Sequence, residues 1–394
     1  MKEGWEYKKI KDVGSVIAGT TPNTNVAEFW NGNLCWISPV ELDGSHYLYD
    51  SRKKITEAAV KAKSLKLLPE GTVILSSRAP IGKVVINKVP TYCNQGFKCV
   101  VCGKEIYNEF LYWWFWGKTE YLNSLGTGAT FKEISKRVVE EILIPVPPLS
   151  EQQSIVDYLD SAFAKIDAMK ANAEKALDEA KALFQASLKE MLEPKEGWEE
   201  KKLGDIAEDS ADGPFGSNLK KEHYTTNKEV RIIQLSNIGE DGWREDNTKY
   251  TTFEHLKNIS RSEVEPNDIV IAKMMPAGRA ILCPSHEKKF VLSSDAVKIK
   301  LKKGMETRFV LHSINSPYFR NEVYENVTGS GRVRTSLTKL RACSIFLPSL
   351  SEQQSIVATL DSLKSKVDKL QENFDKISQE CDALKQAILR QVFE

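Results

Sequence analysis

Cys99 and Cys102, in the stretch KCVVCG, are the two thiols whose spacing comes closest to that of a zinc site. Such a site needs a second pair of Cys or His ligands, and the other cysteines are irregularly spaced. The sequence therefore predicts reduced, partly buried thiols in a cytoplasmic protein and no bound metal.

Histidines are the most versatile acid–base side chains, and here they are scattered. They are His46, His223, His255, His286 and His312. The sequence has no G-x-x-x-x-G-K-[ST] phosphate loop, no G-x-G-x-x-G after a strand, no G-x-S-x-G elbow and no H-E-x-x-H pair. The Pro-Val-Pro-Pro run at 145–148 is not the Asn-Pro-Pro-Tyr motif expected of an amino-methyltransferase. We therefore expect a non-catalytic chain without a cofactor.

The whole chain is organised by an internal repeat. KEGWEYKKIKDV begins at Lys2 and KEGWEEKKLGDI begins at Lys195, and PLSEQQSIVDYLDS at 148–161 returns as PSLSEQQSIVATLDS at 348–362. The landmarks keep their order, which indicates a tandem duplication, and no histidine occupies the same place in both copies. We divide the chain into a first head (1–149), a first helical segment (150–193), a second head (194–350) and a second helical segment (351–394).

Both helical segments are predicted to be single long helices. Neither contains Pro or Gly, and Ser150 with Gln153, like Ser351 with Gln354, has the spacing of a capping box. Apolar residues recur at steps of three and four, which predicts a heptad seam. The seam residues are Ile155, Leu159, Phe163, Ile166, Leu177 and Phe184 in the first segment, and Ile356, Leu360, Leu363, Val367, Leu370, Phe374, Ile377, Leu384 and Ile388 in the second.

A helix of 44 residues is about 66 Å long, and a narrow apolar seam on it requires a partner. We predict that the two helices form an antiparallel coiled coil, giving a pseudo-twofold repeat in which they separate two α+β heads. The alternative is that each helix packs only on its own head. In the first head, the aromatic run Tyr112–Trp116 is interpreted as core rather than as a surface for base stacking.

Net charge follows the same division. The first and second heads carry +4 and +3, and the two helical segments carry −4 and −2. A polyanion should therefore meet the heads rather than the helices. No run approaches the length of a membrane helix, and the N-terminal MKEGWEYKKI has no apolar signal region, so we expect no membrane association.

Together these features resemble the specificity subunit of type I restriction–modification systems. The marks are IPVPPLSEQQSIVDYLD and IFLPSLSEQQSIVATLD at the two helix starts, with GTTPNTNVAEFWNGNLCWISP and LSSRAPIGKVVI in the first head. The resemblance implies that each head is a target-recognition domain for one half of a bipartite, asymmetric sequence in double-stranded DNA. It also implies that the helices set the half-site spacing and dock two methyltransferase (modification) subunits, to which restriction subunits with an ATP-dependent translocase and nuclease are added. A coiled-coil scaffold with two protein-binding heads is the alternative function.

If the heads read DNA, polar and basic residues in loops rich in Gly, Pro and Asn are the candidate contacts. In the first head these are Thr20, Thr21, Asn23, Arg78, Lys83, Asn94, Gln95 and Lys132. In the second head they are Ser217, Asn218, Lys220, Lys221, Lys273, Arg279, Arg332 and Arg334. The stretch GRVRTS (331–336) is the strongest candidate, because an arginine can contact guanine with two hydrogen bonds, and FGSNLKK (215–221) comes next.

Overall fold

A computed structural model describes residues 4–78, 80–128, 132–325 and 334–394. The chain divides into two compact units, a first unit of residues 1–174 with 374–394 and a second unit of residues 175–373. Each unit therefore contains one head together with part of each long helix.

The elements alternate between short strands and short helices in both heads. The strands of the first unit are β1 (Glu6–Lys9), β2 (Gly14–Ala18), β3 (Trp30–Ile37), β4 (Tyr47–Leu48), β5 (Lys53–Ile55), β6 (Val73–Ser76), β7 (Val84–Asn87), β8 (Tyr92–Cys93), β9 (Phe97–Cys102) and β10 (Leu143–Val146). Those of the second unit are β11 (Glu199–Lys202), β12 (Ala207–Asp212), β13 (Val230–Ile233), β14 (Tyr250–Thr251), β15 (Glu263–Val264), β16 (Ile269–Ala272), β17 (Ala280–Leu282), β18 (Phe290–Leu292), β19 (Ala296–Leu301) and β20 (Ser344–Leu347).

Two helices are far longer than the rest. The first head contains α1 (Ile10–Val13), α2 (Glu57–Lys63), α3 (Asn108–Gly117), α4 (Thr119–Ser124) and α5 (Lys136–Glu141), and is followed by α6 (Leu149–Leu192). The second head contains α7 (Leu203–Ile206), α8 (Phe253–Asn258), α9 (Thr307–Asn315), α10 (Pro317–Glu325) and α11 (Leu337–Ala342), and is followed by α12 (Leu350–Phe393). Short 3-10 turns occupy Ala27–Phe29, Pro39–Glu41, Lys221–His223, Leu235–Asn237 and Ser260–Ser262.

The first head contains a five-stranded sheet in the order β2-β9-β6-β7-β4 and a three-stranded sheet in the order β5-β3-β8. Strands β6 and β7 are buried along their whole length, as expected for the β-branched runs VILS and VVIN. The aromatic run of α3 packs in the same core as Val73, Ile86 and Leu159. Tyr112–Phe115 are buried, which confirms the core interpretation for these four residues, and Trp116 is half-buried.

The second head repeats this plan with a different division of strands. Its sheets have the orders β12-β19-β16-β17 and β14-β13-β18-β15. In both heads the strand after the first short helix pairs antiparallel with the last long strand of its sheet, β2 with β9 and β12 with β19. The mixed α/β heads of the sequence prediction are therefore confirmed.

The two repeated motifs contact each other in each unit. Strand β1, from the first KEGW segment, pairs with β10, and β11, from the second, pairs with β20. Trp5 Nε1 donates a hydrogen bond to Glu151 Oε1 at 2.8 Å, and Trp198 Nε1 donates to Glu352 Oε1 at 3.3 Å. The duplicated sequence motifs therefore form the same head–helix joint, a contact between a head and its long helix, in both units.

The capping-box interpretation of the SEQQ motif is wrong. Helix α12 begins at Leu350, and Glu352 N donates to Ser349 Oγ at 3.3 Å, so the cap lies before the motif. The first glutamine of each motif is instead a buried clamp, a side chain that joins the start of the long helix to its head by hydrogen bonds. Gln152 accepts a hydrogen bond from Tyr107 N at 2.7 Å, and Gln353 accepts one from Glu306 N at 3.2 Å. These partners lie far away in the sequence, which is why local spacing suggested a cap.

The two long helices pack together and run antiparallel. In the first unit Lys385 pairs with Asp167, and Lys170 Nζ lies 3.8 Å from Asp382 Oδ1, so the chain numbers rise on one helix as they fall on the other. In the second unit Lys181 Nζ donates to Gln371 Oε1 at 2.8 Å. The ends of both helices also enter the head cores, so coiled-coil pairing and packing on the heads occur together.

Burial along the predicted seam is uneven. The fully buried positions are Leu159, Phe163, Ile166, Leu177, Leu360 and Val367. The half-buried positions are Ile155, Phe184, Ile356, Leu363, Phe374, Ile377 and Ile388. Leu370 and Leu384 are 36% and 48% exposed, so the helix pair covers these two predicted seam positions only in part. Cys381 and Leu389 of the same helix are also buried.

Candidate nucleic-acid interface

The loops at one end of the main sheet of the first head converge. Gly19 N donates to Phe97 O at 3.2 Å, and Thr20 N donates to Cys93 O at 2.8 Å. A Cβ atom on Gly19 would lie 1.8 Å from Asn94 O, so only glycine permits this approach. The loop after β2 is thereby held against the turn before β9, and it carries the predicted residues Thr20 and Thr21.

A buried lysine organises the centre of this loop cluster. Lys98 Nζ, on β9, donates to Ser77 Oγ at 3.0 Å and lies 3.1 Å from Glu133 Oε1. Arg78 Nε donates to the second oxygen of the same carboxylate at 2.8 Å. Burial alone would raise the pKa of Glu133, but the hydrogen bonds from Lys98 and Arg78 outweigh it and lower that pKa. Glu133 is therefore a carboxylate that positions the exposed guanidinium of Arg78.

Most of the predicted residues of the first head fall in this cluster. Thr21 donates its hydroxyl hydrogen to Gln95 Oε1, and Asn94 Oδ1 accepts from Gly96 N at 2.7 Å, so Asn94 shapes the turn. Lys132 is exposed and directly precedes Glu133 in the chain.

Two predicted residues have other surroundings. Asn23 Oδ1 accepts from Asn25 N at 3.0 Å, within a turn of its own. Lys83 Nζ donates to Leu42 O at 2.8 Å and lines a separate groove with Lys118 and Arg390. Local sequence could not distinguish these positions from the cluster.

The second head builds the equivalent cluster from different side chains. Gly213 occupies the place of Gly19, since its N donates to Ala296 O at 2.9 Å and a Cβ atom would lie 1.7 Å from Ser293 O. Lys273 Nζ donates to Asp212 Oδ1 at 2.6 Å, and Lys273 is 5% exposed. A lysine buried in an ion pair cannot present its ammonium group to a ligand, so this structure corrects the expectation of a surface contact at Lys273.

Of the other predicted residues of the second head, Arg334 lines the same groove as Lys273 and Asp212. Arg334 Nη2 donates to Ser294 O at 2.8 Å and lies 3.5 Å from Asp295 Oδ1. The exposed side chains of the following loop are Ser217, Asn218, Lys220 and Lys221. Arg332, in the stretch ranked first from the sequence, lies outside the described residues.

A polar groove next to this cluster contains residues that sequence reasoning missed. Its volume is about 580 Å³, and Arg279 is the one predicted residue that lines it. The others include Gln234, Ser236, Arg244 and Asn247. Gln234 Oε1 is buried and has no hydrogen-bond partner in the part of the chain that the structure describes. Gln234 directly follows the buried strand β13, and a polar residue at the end of such a strand was the available signal.

The thiols do not form a ligand set. Cys99 Sγ contacts Cys93 Sγ at 3.4 Å rather than Cys102, and burial raises the pKa of Cys102 to about 12. Within the described ranges, no group of three or more His, Cys, Asp or Glu side chains could hold a metal ion. No described helix is long and apolar enough to cross a membrane.

The fold and its loop clusters define a duplicated protein, in which each α/β head presents hydrogen-bonding side chains from loops held by the same backbone contacts. The family described as type I restriction modification DNA specificity domain matches residues 2–178 and 195–379. The chain belongs to this family.

Individual relatives are specificity subunits of type I restriction enzymes. The chain is 36% identical over 254 residues to the MjaIX subunit of Methanocaldococcus jannaschii, covering 59% of this chain and 58% of that protein. It is 34% identical over 167 residues to the EcoR124I/EcoR124II subunit of Escherichia coli, covering 40% and 41%. The chain thus spans about half the length of these two relatives. The StySPI subunit of Salmonella potsdam is 23% identical, with 100% and 89% covered.

Two solved structures share the fold over the full chain. A chain from a study of complex assembly and conformational transition of the type I R-M system gives a TM-score of 0.77 at 19% identity, covering 100% of this chain and 98% of that one. The HsdS subunit from Thermoanaerobacter tengcongensis gives 0.62 at 19% identity, covering 100% and 97%.

Proposed function

We propose that this chain is the DNA specificity subunit of a type I restriction–modification complex. Residues 1–149 and 194–350 act as target-recognition domains, and each reads one half of a bipartite, asymmetric target in double-stranded DNA. The observation that carries the proposal is the loop cluster that each head builds on a matched backbone. The glycines Gly19 and Gly213 are equivalent, whereas the polar side chains around them differ, as two different half-sites require.

Recognition of this kind needs positioned donors, acceptors and charges, but no reactive group. The proposed contacts in the first head are Thr20, Thr21, Asn23, Arg78, Gln95 and Lys132, with Asn94 shaping their turn and Lys83 at its separate groove. In the second head they are Ser217, Asn218, Lys220, Lys221, Arg279 and Arg334, together with Gln234, Arg244 and Asn247. We assign the chain no catalytic residue and no cofactor.

The paired helices serve two purposes in this proposal. They set the distance between the half-sites, and their exposed faces dock two methyltransferase subunits, to which restriction subunits are added. The exposed Leu370 and Leu384 are apolar positions of that kind on α12. Since the substrate is the DNA of the cell, the complex works in the cytoplasm.

The test is selection of DNA from a randomised library by the complex with its methyltransferase subunits. We expect a split, asymmetric consensus with two defined halves and an unread gap. Recovery of no bipartite consensus would contradict the proposal.

A head exchange separates a DNA reader from a protein scaffold. When the first head is replaced by that of a related specificity subunit, a reader changes one half of the methylated sequence and keeps the other. If the exchange changes only the protein partners, the scaffold interpretation is correct.

A further inference from the structure

Phe215 is a large apolar side chain that the second head leaves in solvent. It lies in the loop after β12, in the stretch Gly213-Pro214-Phe215-Gly216, and is 82% exposed. Exposure on this scale forgoes the hydrophobic stabilisation that burial of a phenylalanine normally gives. A single exposed apolar residue is ordinary at a protein surface, but Phe215 is the most exposed large apolar side chain among the described residues.

The exposure of Phe215 is built into the loop. At one end Gly213 N donates to Ala296 O at 2.9 Å. At the other, Asn218 N donates to Phe215 O at 2.7 Å and closes a turn. The carbonyl oxygen of Asn218 lies 2.8 Å from His255 Nε2, and the His255 ring stacks on that of His223 at 4.0 Å. The loop is thus anchored on both sides of the projecting ring.

The surroundings of Phe215 are polar and basic. It lines a groove together with Arg334, Thr335 and Lys339, and with Lys273, whose charge is paired with that of Asp212 in the same groove. Phosphate groups of DNA are attracted to such a groove, and this would bring stacked base pairs against the phenyl ring. An apolar partner protein would be poorly matched to these neighbours.

We propose that Phe215 inserts between two adjacent base pairs of the half-site read by the second head, unstacks them and bends the DNA there. This inference rests on the proposed function and deepens it. Apolar wedges such as phenylalanine unstack a base step and kink the duplex, and the bend brings more DNA against the protein. Insertion also removes the exposed ring from water.

The equivalent loop of the first head, residues 19–23, carries no such wedge. At the position equivalent to Phe215 it has Thr21, which is bonded to Gln95, and the next residue, Pro22, is buried. The distortion is therefore expected in only one half of the target. This asymmetry distinguishes a wedge from a feature shared by both recognition domains.

The experiment uses the complex with its methyltransferase subunits and a duplex bearing the bipartite motif methylated in the host genome. The fluorescent base 2-aminopurine is placed in turn at each position of both half-sites other than the methylated bases. We expect the wild type to raise fluorescence at one step of the second half-site. Phe215→Ala should abolish that signal and weaken binding about ten-fold. Phe215→Trp should retain both the signal and the affinity. Tyr49→Ala, a control at an aromatic residue of the first head that is 67% exposed and lies outside the proposed contacts, should change neither.

The outcomes separate the two proposals. Absence of any bipartite motif contradicts the proposed function itself. Tight binding of the motif with an unchanged 2-aminopurine pattern in Phe215→Ala overturns the wedge alone. If Phe215→Ala instead prevents assembly with the methyltransferase subunits, as measured by the mass of the complex, Phe215 is a protein contact and the wedge is likewise overturned.

Discussion

The two heads share a backbone plan, and each has a buried lysine in its loop cluster. The lysine, however, stands at a different position of the chain in each head. In the first head Lys98 comes from β9 and donates to Ser77; in the second, the position equivalent to Ser77 is Lys273 itself, which pairs with Asp212. The glycines and head–helix joints are retained, whereas the charges around them are rearranged. Backbone approach and core packing tolerate little change, but a surface that recognises a ligand can change freely once that frame is present.

The largest expected effect concerns the buried leucines that the two long helices share. Leu159 and Leu360 occupy the same place in the two copies, and both are 0% exposed. Replacement of either leucine by alanine leaves a cavity and should lower the free energy of unfolding by about 3 kcal/mol. Chemical denaturation gives the loss, and hydrogen exchange should locate it in the unit that contains the substituted leucine.

The exposed leucines are the matched controls. Leu370→Ala and Leu384→Ala should each lower the free energy of unfolding of the isolated chain by less than about 1 kcal/mol. Equal losses at buried and exposed positions would contradict the seam described above.

The next largest effect concerns the buried lysines of the loop clusters, which differ between the two heads. Among the residues that the structure describes, Lys98 Nζ has hydrogen bonds to Ser77 Oγ, Gln95 O and Glu133, whereas Lys273 Nζ has one, to Asp212. We expect Lys98→Met to destabilise the first unit by about 2 kcal/mol and Lys273→Met to destabilise the second by about 1 kcal/mol, because each leaves polar partners unsatisfied. Thermal unfolding of both variants checks the order, and a greater loss at Lys273 would reverse our assignment of the stronger cluster.

A smaller difference is expected at the two glutamine clamps. Gln152 Nε2 donates to Glu105 O at 2.9 Å and Pro147 O at 2.7 Å, in addition to the bond from Tyr107. Gln353 Nε2 donates to Pro348 O at 2.9 Å.

Gln152 makes more hydrogen bonds than Gln353. Gln152→Ala should therefore lower the free energy of unfolding by about 1.5 kcal/mol and Gln353→Ala by about 1 kcal/mol, as measured by denaturation. Gln153→Ala and Gln354→Ala, at exposed neighbours, should stay within about 0.5 kcal/mol. A larger loss at these neighbours would restore the capping-box interpretation.

The smallest effect is a pH dependence confined to the second unit. Trp113 Nε1 donates to Asp160 Oδ1 at 2.9 Å, but at the equivalent place His312 Nε2 lies 3.8 Å from Asp361 Oδ1. Burial lowers the pKa of His312, the neighbouring Asp361 partly opposes this, and Arg308 adds to it.

The sign follows from this lowered pKa. The unfolded chain takes up the proton first as the pH falls below about 6.5, so the second unit should lose stability between pH 7 and pH 5. His312→Gln should reduce that loss, with the first unit as internal reference. Hydrogen exchange at the two pH values measures it, and an equal loss in both units would show that His312 is not the cause.

The two long helices were predictable from the sequence because their signals are local, and the repeat was predictable because the two copies can be compared directly. The absence of Pro and Gly over 44 residues and the recurrence of apolar residues are properties of neighbouring positions. The core role of Tyr112–Phe115 also followed from comparison of the two copies. Leu370 and Leu384, which were predicted for the seam, are its most exposed residues, because periodicity does not show how much of each side chain its surroundings cover.

The sequence by itself therefore determined the duplication, the helices and the apolar character of the core. Only the tertiary structure decided which polar residues meet. Glu133 lies 35 residues from Lys98 and 55 from Arg78, and Asp212 lies 61 from Lys273, so no spacing rule links them. The physical reason is that helices and strands form from local preferences, whereas a loop cluster is assembled only when the sheet brings distant strand ends together.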